Sequence, residues 1–285
     1  MGGRNALKPL PSSFYENVRQ RLRERAQGDR LDGLLLLGAG IVGYATGWHF
    51  SVNERPMGLW LPMDGAALLL VPHLELENAM VVPGVEVRTY EEFPGERPPA
   101  LWMTEEAGAK QIAVDTLDAN LLAPARASLT RLDLVDHAKP ERAVKDGAEL
   151  GLIREAARFA DMVLERLLAV GGDIIQQGGT EEDLLGDCTG HVRKLLSATH
   201  GEAFQGTQTR ITASVHSSSR AALPHGSVTA RRPLPGDPIV AGIGCSLGGY
   251  HAESGATLVL GEIHPEQRRV MEAMAEAGAA TVHAL

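Results

Sequence analysis

The residue with the most usable chemistry in this 285-residue chain is His225, in the segment Leu223-Pro224-His225-Gly226. An unperturbed imidazole has a pKa of about 6.5, so it can take up and return a proton near neutral pH, and histidine is the most frequent general acid or base in enzymes. A histidine between proline and glycine can also do no more than cap a turn. The sequence therefore offers His225 as a candidate acid/base and leaves the turn-capping role open.

Further polar residues lie near His225 along the chain. Glu253 is able to orient an imidazole or to bind a cationic group of a substrate, and an exposed hairpin carboxylate is an equally good interpretation. His216 and His251 stand near the same segments and rank below His225 as candidates. Because side chains alternate along a strand, His251 is expected on the opposite face from its neighbour Tyr250.

The glycine-rich segment Gly38–Gly43 follows a short apolar run and has the spacing of a dinucleotide-binding fingerprint. That motif requires a helix that opens at its last glycine and returns the chain to a parallel strand. Gly47 and Pro56 interrupt such a helix, and the next two apolar runs are joined by a tight turn at Asp64-Gly65. A hairpin replaces the crossover helix, so we predict that the chain binds neither NAD nor FAD.

The composition of the chain excludes several classes of partner. The chain has 27 Lys and Arg against 36 Asp and Glu, for a net charge of -9, and contains no long basic stretch. Affinity for nucleic acid or for anionic lipid depends on clustered cations, so neither partner is expected. No apolar run approaches the ~20 residues that span a bilayer, and the N-terminus lacks the apolar centre of a secretory signal. A cytoplasmic location is therefore expected.

The cysteines and the other histidines of the chain do not have the spacing of a metal site. Cys188 and Cys245 are the two cysteines of the chain, too few for a disulfide framework and not spaced as a zinc site. They are expected to be reduced, partly buried thiols. His49, His73 and His137 are scattered among apolar or turn residues and are expected to be packed or surface side chains.

Hydrophobic spacing predicts the elements of the first half. A helix is predicted from Phe14 to Gln27, because Ser13 and Glu16 have the spacing of a capping box and apolar residues recur every four positions. The arginines of this helix are interspersed with acids, so its polar side is expected to face solvent. Strands of a mixed α/β domain are predicted at 34–37, 59–61, 67–71, 85–88 and 112–114.

The composition changes at Lys139-Pro140, which predicts a domain boundary near residue 138. A long helix is predicted after it, ending at Gly171-Gly172, with one apolar face formed by Leu152, Ala156, Ala160, Val163 and Leu167. Thr180 with Asp183 predicts a capping box for a second helix. Strands are predicted at 208–215, 239–244 and 256–260, and a last helix begins at Pro265. The second half is therefore predicted to be an α+β layer.

The order of these motifs resembles that of one superfamily over nearly the whole chain. The motifs are Lys139–Asp161, Leu223–Gly226, Gly236-Asp237 followed by Ile243-Gly244, Gly249-Tyr250, Thr257–Gly261, and Tyr44–Gly47 in the first half. Their order is similar to that of the creatinase / Xaa-Pro peptidase / methionine aminopeptidase superfamily. The resemblance implies an α/β creatinase-type N-terminal domain over residues 1–138 and an α+β pita-bread domain over residues 139–285.

The resemblance also implies where metal ligands would stand. Metallopeptidases of this superfamily carry one aspartate just before Ile-Gly and a second after Gly-Tyr, and these positions are Gly242 and Glu253 here. Two divalent ions need several hard oxygen ligands and glycine offers none, so no metal ligand and no cofactor are expected. The usual Thr-Arg-Thr that follows reads Gly255-Ala256-Thr257. The other family ligands, a histidine and two glutamates, come from a stretch beyond Leu285, so the pita-bread domain is expected to be incomplete, as a fragment or a degenerate member.

Three functions are compatible with these observations. The first is a metal-independent, creatinase-like hydrolase of C–N bonds in small molecules or dipeptides, in which the resemblance implies His225 as acid/base and Glu253 and Tyr250 as substrate-binding residues. The second is a metal-dependent Xaa-Pro peptidase completed by residues beyond this chain, against which Gly242 argues. The third is a non-catalytic relative used for binding or oligomerisation. We predict the first, acting as a homodimer, although no sequence feature separates it from the third.

Overall fold

The computed structural model of the chain describes residues 7–92, 95, 97–223 and 225–284. It divides into two compact units, one made of Met1–Leu150 with Phe204–Gln208 and the other of Gly151–Ala203 with Thr209–Leu285. The strands of the two units form separate sheets. Two prolines lie outside the described residues: Pro94, in the proline-rich stretch from Pro94 to Pro99, and Pro224, beside His225.

The first unit is built on a six-stranded mixed sheet with the strand order β4-β3-β2-β1-β5-β6. Its described strands are β1 (Gly33–Leu36), β2 (Gly58–Pro62), β3 (Ala67–Pro72), β4 (Val85–Tyr90), β5 (Gln111–Val114) and β6 (Arg131–Leu134). Its described helices are α1 (Ser12–Ala26), α2 (Ala39–Thr46), α3 (Leu76–Ala79), α4 (Pro99–Glu106), α5 (Ala119–Ser128) and α6 (Ala138–Ala143), with 3-10 turns at Gln27–Asp29 and His73–Glu75. The five strands predicted in this half are present, whereas β6 and the helices from α3 to α5 had no strong sequence pattern.

Two predictions about helix α1 are wrong. It begins after Pro11, and the N-cap makes no side-chain hydrogen bond, so Ser13 and Glu16 form no capping box. The arginine face is not fully solvated either, because Arg19 is buried and its Nη1 donates to the carbonyl oxygen of Ala45 at 2.9 Å. A long side chain lets arginine reach an orphan helix carbonyl that charge alternation alone does not reveal.

The glycine-rich segment opens a short helix and not a crossover. β1 is followed by α2, which ends at Gly47 with a φ of 75°, a left-handed conformation that favours glycine. The amides of Leu37 and Gly38 donate to the Asp115 carboxylate at 2.7 and 2.8 Å. Strand β2 then runs antiparallel to both β1 and β3, which confirms the predicted hairpin. The amides that would approach a phosphate are already bonded to an anion of the chain itself.

The second unit places helices against a three-stranded antiparallel sheet with the order β7-β8-β9. Its described elements are α7 (Gly147–Gln176, begun in the first unit), α8 (Glu181–His200), β7 (Arg210–Ser217), a 3-10 turn at Ser218–Ala222, β8 (Pro238–Leu247), β9 (Tyr250–Val259) and α9 (Pro265–Ala284). The predicted capping box is present, since Thr180 accepts from the amide of Asp183 and Asp183 accepts from the amide of Thr180. The five apolar residues predicted on one face of α7 are buried: Leu152, Ala156, Ala160, Val163 and Leu167.

Two boundaries differ from the sequence prediction. Helix α7 continues through Gly171-Gly172 to Gln176. Gly171 packs closely against α8, since a Cβ at this position would lie 3.4 Å from the Leu184 side chain. The first unit extends to Leu150, beyond the boundary predicted near residue 138. Its last short helix, α6, stays with it because Glu141 accepts hydrogen bonds from Arg21 and Arg25 of α1 at 3.0 and 2.9 Å.

Both thiols are free and buried, as expected. Burial raises the pKa of Cys188, and it raises the pKa of Cys245 to about 11. A thiol with a raised pKa is a poor nucleophile at neutral pH.

Within the described part of the chain, every helix is too short or too polar to cross a membrane.

A part-buried ion-pair cluster joins α7 to α8 and makes the stability of the second unit depend on pH. Glu155 accepts from Arg158 at 2.7 Å, and His200 Nε2 lies 2.8 Å from Glu155 Oε1. The hydrogen bonds from Arg158, with a further one from His200, outweigh burial and lower the pKa of Glu155 from 4.5 to about 2. Since the folded pKa lies below the unfolded one, this stabilisation is present above pH 4.5 and is lost as the pH falls towards 2.

We therefore expect Glu155→Gln to lower the free energy of unfolding by about 1–3 kcal/mol at pH 7, because Arg158 and His200 lose a charged partner. The difference between wild type and variant should shrink as the pH falls from 4.5 to 2. Urea unfolding at pH 7, 4 and 3 measures it, with Glu165→Gln, an exposed acid on α7, as the control. A difference that does not change with pH would contradict the assignment.

Candidate functional site

One face of the sheet β7-β8-β9 collects most of the polar residues that the sequence singled out. Side chains alternate along each strand, and the odd-numbered residues of β8 from Ile239 to Leu247 are buried on one face. The even-numbered residues of β8 lie on the other face, which we call the open face. Strand register places these polar side chains on it: Thr212, Ser214 and His216 of β7, Ser246 of β8, and His251, Glu253 and Thr257 of β9.

Three glycines, Gly242, Gly244 and Gly255, lie side by side in the middle of the open face and are called the glycine trough. Gly242 is paired with Ser214 on one side and with Gly255 on the other. A Cβ at Gly242 would lie 3.3 Å from Ser214 Oγ and would meet no other atom within 4 Å. At Gly255 a Cβ would lie 2.7 Å from the carbonyl oxygen of Ala241. Gly242 is thus the trough position with room for a side chain.

Ser246, His251 and Glu253 form a hydrogen-bonded chain on the open face. Strands β8 and β9 are joined by Gly248-Gly249, both with positive φ (59° and 84°), and this two-residue turn fixes the register that pairs Ser246 with His251. His251 Nδ1 lies 3.0 Å from Ser246 Oγ, and its Nε2 lies 3.3 Å from Glu253 Oε1. The imidazole also covers Gly244, where a Cβ would lie 2.7 Å from the ring. These contacts fix the orientation of His251.

The predicted substrate-binding residues are separated by the alternation of β9. Glu253 lies on the open face with His251 as a hydrogen-bond partner, so the imidazole that it contacts is that of His251 and not the predicted His225. Tyr250 pairs with the buried Leu247 and lies on the opposite face from His251, as predicted. The structure therefore does not bring Tyr250 and Glu253 together. Ser246 was missed, and its sequence signal was the Gly-Gly turn that sets its register.

His225 is exposed and lies in the segment that follows β7. A Cβ at the next residue, Gly226, would lie 3.6 Å from the imidazole of His216. His216 is 2% exposed, and its Nε2 has no hydrogen-bond partner among the residues that the structure describes. A buried polar atom without a partner is costly and is unusual outside functional sites. The segment that carries the exposed His225 therefore approaches the buried imidazole of His216, near the end of β7.

The open face does not fit a pair of divalent metal ions in the part of the chain that the structure describes. No group of three or more His, Cys, Asp or Glu side chains lies close enough there to hold an ion. Gly242 supplies no ligand, and Glu253 together with His251 supplies two groups where two ions need several carboxylates.

Comparison with known proteins shows a likeness between the second half of the chain and a peptidase family. Residues 151–285 match the sequence model of metallopeptidase family M24. The chain is 28% identical to the probable dipeptidase PepE of Mycobacterium tuberculosis, over 81% of this chain and 60% of that protein. It is 27% identical to the Xaa-Pro dipeptidase of Pyrococcus furiosus, over 83% of this chain and 64% of that protein. The chain spans between 60% and 66% of the length of the curated relatives that it matches.

Solved structures share the fold. The recombinant prolidase of Thermococcus sibiricus superposes with a TM-score of 0.73 at 20% identity, covering 94% of this chain and 71% of that chain. The predicted resemblance to the creatinase / Xaa-Pro peptidase / methionine aminopeptidase superfamily is confirmed, and so is the fold class, an α/β domain followed by a pita-bread-type α+β domain.

The prediction that the protein uses no cofactor is wrong at the level of the family. The family that matches the second unit is one of metallopeptidases. The prediction rested on Gly242, where the resemblance implies a carboxylate ligand, and on the family ligands expected beyond Leu285, and neither observation defines the metal requirement of the family. The expected homodimer and the cytoplasmic location stay predictions.

Proposed function

We propose that this chain, whose residues 151–285 match metallopeptidase family M24, is a hydrolase of the C–N bond of dipeptides, with Xaa-Pro dipeptides as the substrate class to test first. The observations that carry the proposal are the exposed His225, in the segment that follows β7, and an open face lined by hydroxyl, imidazole and carboxylate side chains. The relatives at 24–28% identity that bear dipeptidase names support the reaction class.

Each polar group of the open face fits one need of the reaction. Hydrolysis forms a bond between water oxygen and the carbonyl carbon and breaks the C–N bond, and the leaving nitrogen must receive a proton. We assign both proton transfers to His225: its imidazole accepts a proton from the attacking water and returns it to the leaving nitrogen, as a general acid/base does. The Glu253 carboxylate offers an anion for the α-ammonium group of the dipeptide, and the hydroxyl of Ser214 can donate to the substrate carbonyl.

The glycine trough gives the substrate backbone a place to lie. Without side chains at Gly242 and Gly244, a peptide can approach the strand backbone closely, as in other sites where glycine permits close contact. His251 is held by Ser246 and Glu253 at the edge of this trough.

A non-catalytic role is the second candidate, and the observation that favours it is Gly242, where the superfamily's first metal-binding aspartate is absent. Under this role the open face binds a ligand without turnover. Both candidates predict binding at the open face, so binding locates the site and turnover decides between them.

Histidine-selective NMR tests the location of the site. On titration with Ala-Pro, the imidazole signals of His225 and His251 should shift with one common dissociation constant, because both flank the proposed binding position. His73, exposed in the first unit, is the internal control and should not shift. Shifts confined to other histidines, or no shift at millimolar dipeptide, would contradict this site.

A further inference from the structure

Glu181 is a buried carboxylate that the proposed reaction does not use. It is the first residue of α8 and is fully buried, with 0% relative exposure. Burying an anion is costly unless hydrogen bonds replace its water. The helix does not need Glu181 as a cap, because Thr180 and Asp183 already form the capping box. The carboxylate therefore has partners of another kind.

The partners of Glu181 are the two ends of the segment that carries His225. Its Oε1 accepts from the amide and the hydroxyl of Ser217, the last residue of β7, at 2.8 and 2.7 Å. Its Oε2 accepts from the amide and the hydroxyl of Thr229 at 3.2 and 2.9 Å. One carboxylate thus closes the segment 218–228, and we call these four hydrogen bonds the Glu181 clasp.

The charge of Glu181 is retained inside the clasp. Burial opposes ionisation, but the hydrogen bonds from Ser217 and Thr229 outweigh it, and the pKa of Glu181 lies below its ordinary value. The Arg220 guanidinium, within the same segment, lies 3.7 Å from Glu181 Oε2. An anion that accepts four hydrogen bonds and faces a cation holds its partners more tightly than a neutral acceptor.

The segment begins in a conformation that needs such support. Ser218 has a φ of 58°, a left-handed value that costs a non-glycine residue roughly 1 kcal/mol or more. Asp237, near this residue, accepts from Arg231 Nη2 at 2.8 Å. Arg231 Nη1 in turn donates to Ser217 Oγ at 2.6 Å. The clasp is therefore part of a network that holds the strained start of the segment.

We propose that Glu181 is the positioning residue of His225: its carboxylate fixes both ends of segment 218–228 and thereby holds the part of the chain that carries His225 beside the buried His216. The positioning role rests on the proposed function of His225, whereas the clasp itself does not. Glu181 touches no substrate and acts through the segment.

The variant Glu181→Gln tests the clasp with little change in volume. One of the two terminal atoms of glutamine is a donor, so the amide and hydroxyl of either Ser217 or Thr229 lose their acceptor. We expect faster hydrogen exchange across residues 218–229. We also expect kcat for Ala-Pro to fall by about 10- to 100-fold with KM within about threefold, because a misplaced acid/base slows proton transfer more than binding.

Two further variants keep the test decisive. Thr229→Val removes one hydroxyl donor of the clasp and keeps its amide, so it gives a smaller change in the same direction if Glu181→Gln does not fold. Glu155→Gln is the matched control, since it removes a part-buried carboxylate of the same unit whose partners are Arg158 and His200. It should lower stability and leave the exchange of residues 218–229 unchanged.

The readouts separate the clasp from the proposed reaction. Unchanged exchange of residues 218–229 in both Glu181→Gln and Thr229→Val would overturn the inference, whatever the activity. Faster exchange with unchanged kcat would overturn the positioning role. If the wild-type protein shows no turnover, the proposed function fails, and the exchange data alone then decide whether the clasp exists.

Discussion

Replacing His225 with alanine is expected to lower kcat/KM for dipeptide hydrolysis by about 10²- to 10⁴-fold, the range that general acid/base catalysis supplies. The melting temperature should stay within about 2 °C, because His225 is exposed and contributes little to packing. His225→Gln keeps a hydrogen-bonding side chain that cannot exchange a proton near pH 7, and it should be about as impaired as the alanine variant.

The control for this prediction is His73→Ala, which removes an exposed histidine of the first unit and should leave turnover unchanged. Steady-state kinetics from pH 5.5 to 9 compare the variants. Full activity in His225→Ala would remove His225 from the mechanism. Unfolding of this variant would instead support the turn-capping role that the sequence left open.

Replacing Gly242 with aspartate is expected to create affinity for divalent cations on the open face. Gly242 is exposed, and a Cβ there meets only Ser214 Oγ at 3.3 Å, so the side chain has room. The new carboxylate would share this face with Glu253, which lies one strand away and diagonal to it in the register. Affinity for hard cations rises with the number of charged oxygen ligands, so we expect Mn²⁺ binding to tighten by at least about tenfold.

The matched control is Gly242→Asn, which has nearly the same size without the charge and should gain little. Calorimetric titration with MnCl₂ and the metal-dependent shift in melting temperature measure both variants against wild type. Equal affinities in the asparagine and aspartate variants would show that Gly242 does not stand at a ligand position. Tight binding of two ions by the wild-type protein would show that its ligands lie elsewhere in the chain.

Local patterns predicted the helices and strands well where the pattern and the packing agree. The buried stripe of α7 and the Thr180–Asp183 capping box follow from spacing alone, because both depend on residues one or two turns apart. The predicted end of α7 at Gly171-Gly172 failed for the opposite reason. Gly171 serves close packing against Leu184, a residue of the next helix, and tertiary contact overrides its low helix propensity.

The sequence predicted which residues belong to the candidate site but not which of their side chains contact each other. His225, His251 and Glu253 were all singled out, yet the partner of Glu253 is His251, because both lie on one face of β9. That pairing depends on strand register, which the two-residue turn at Gly248-Gly249 sets. Glu181 was not singled out at all, since its role requires two distant residues, Ser217 and Thr229, to meet one carboxylate.

The release of free amino acids from Xaa-Pro dipeptides tests the central proposal most directly. The purified protein should be incubated with Ala-Pro and, separately, with Ala-Ala. Each dipeptide is tested in parallel samples that contain Mn²⁺, Co²⁺, Zn²⁺ or a chelator, and the products are quantified by mass spectrometry. We predict release of alanine and proline from Ala-Pro at a rate that His225→Ala lowers at least about 100-fold. No release from either dipeptide under any of these conditions, together with binding of Ala-Pro at the open face, would contradict a hydrolase and identify a non-catalytic member of the fold.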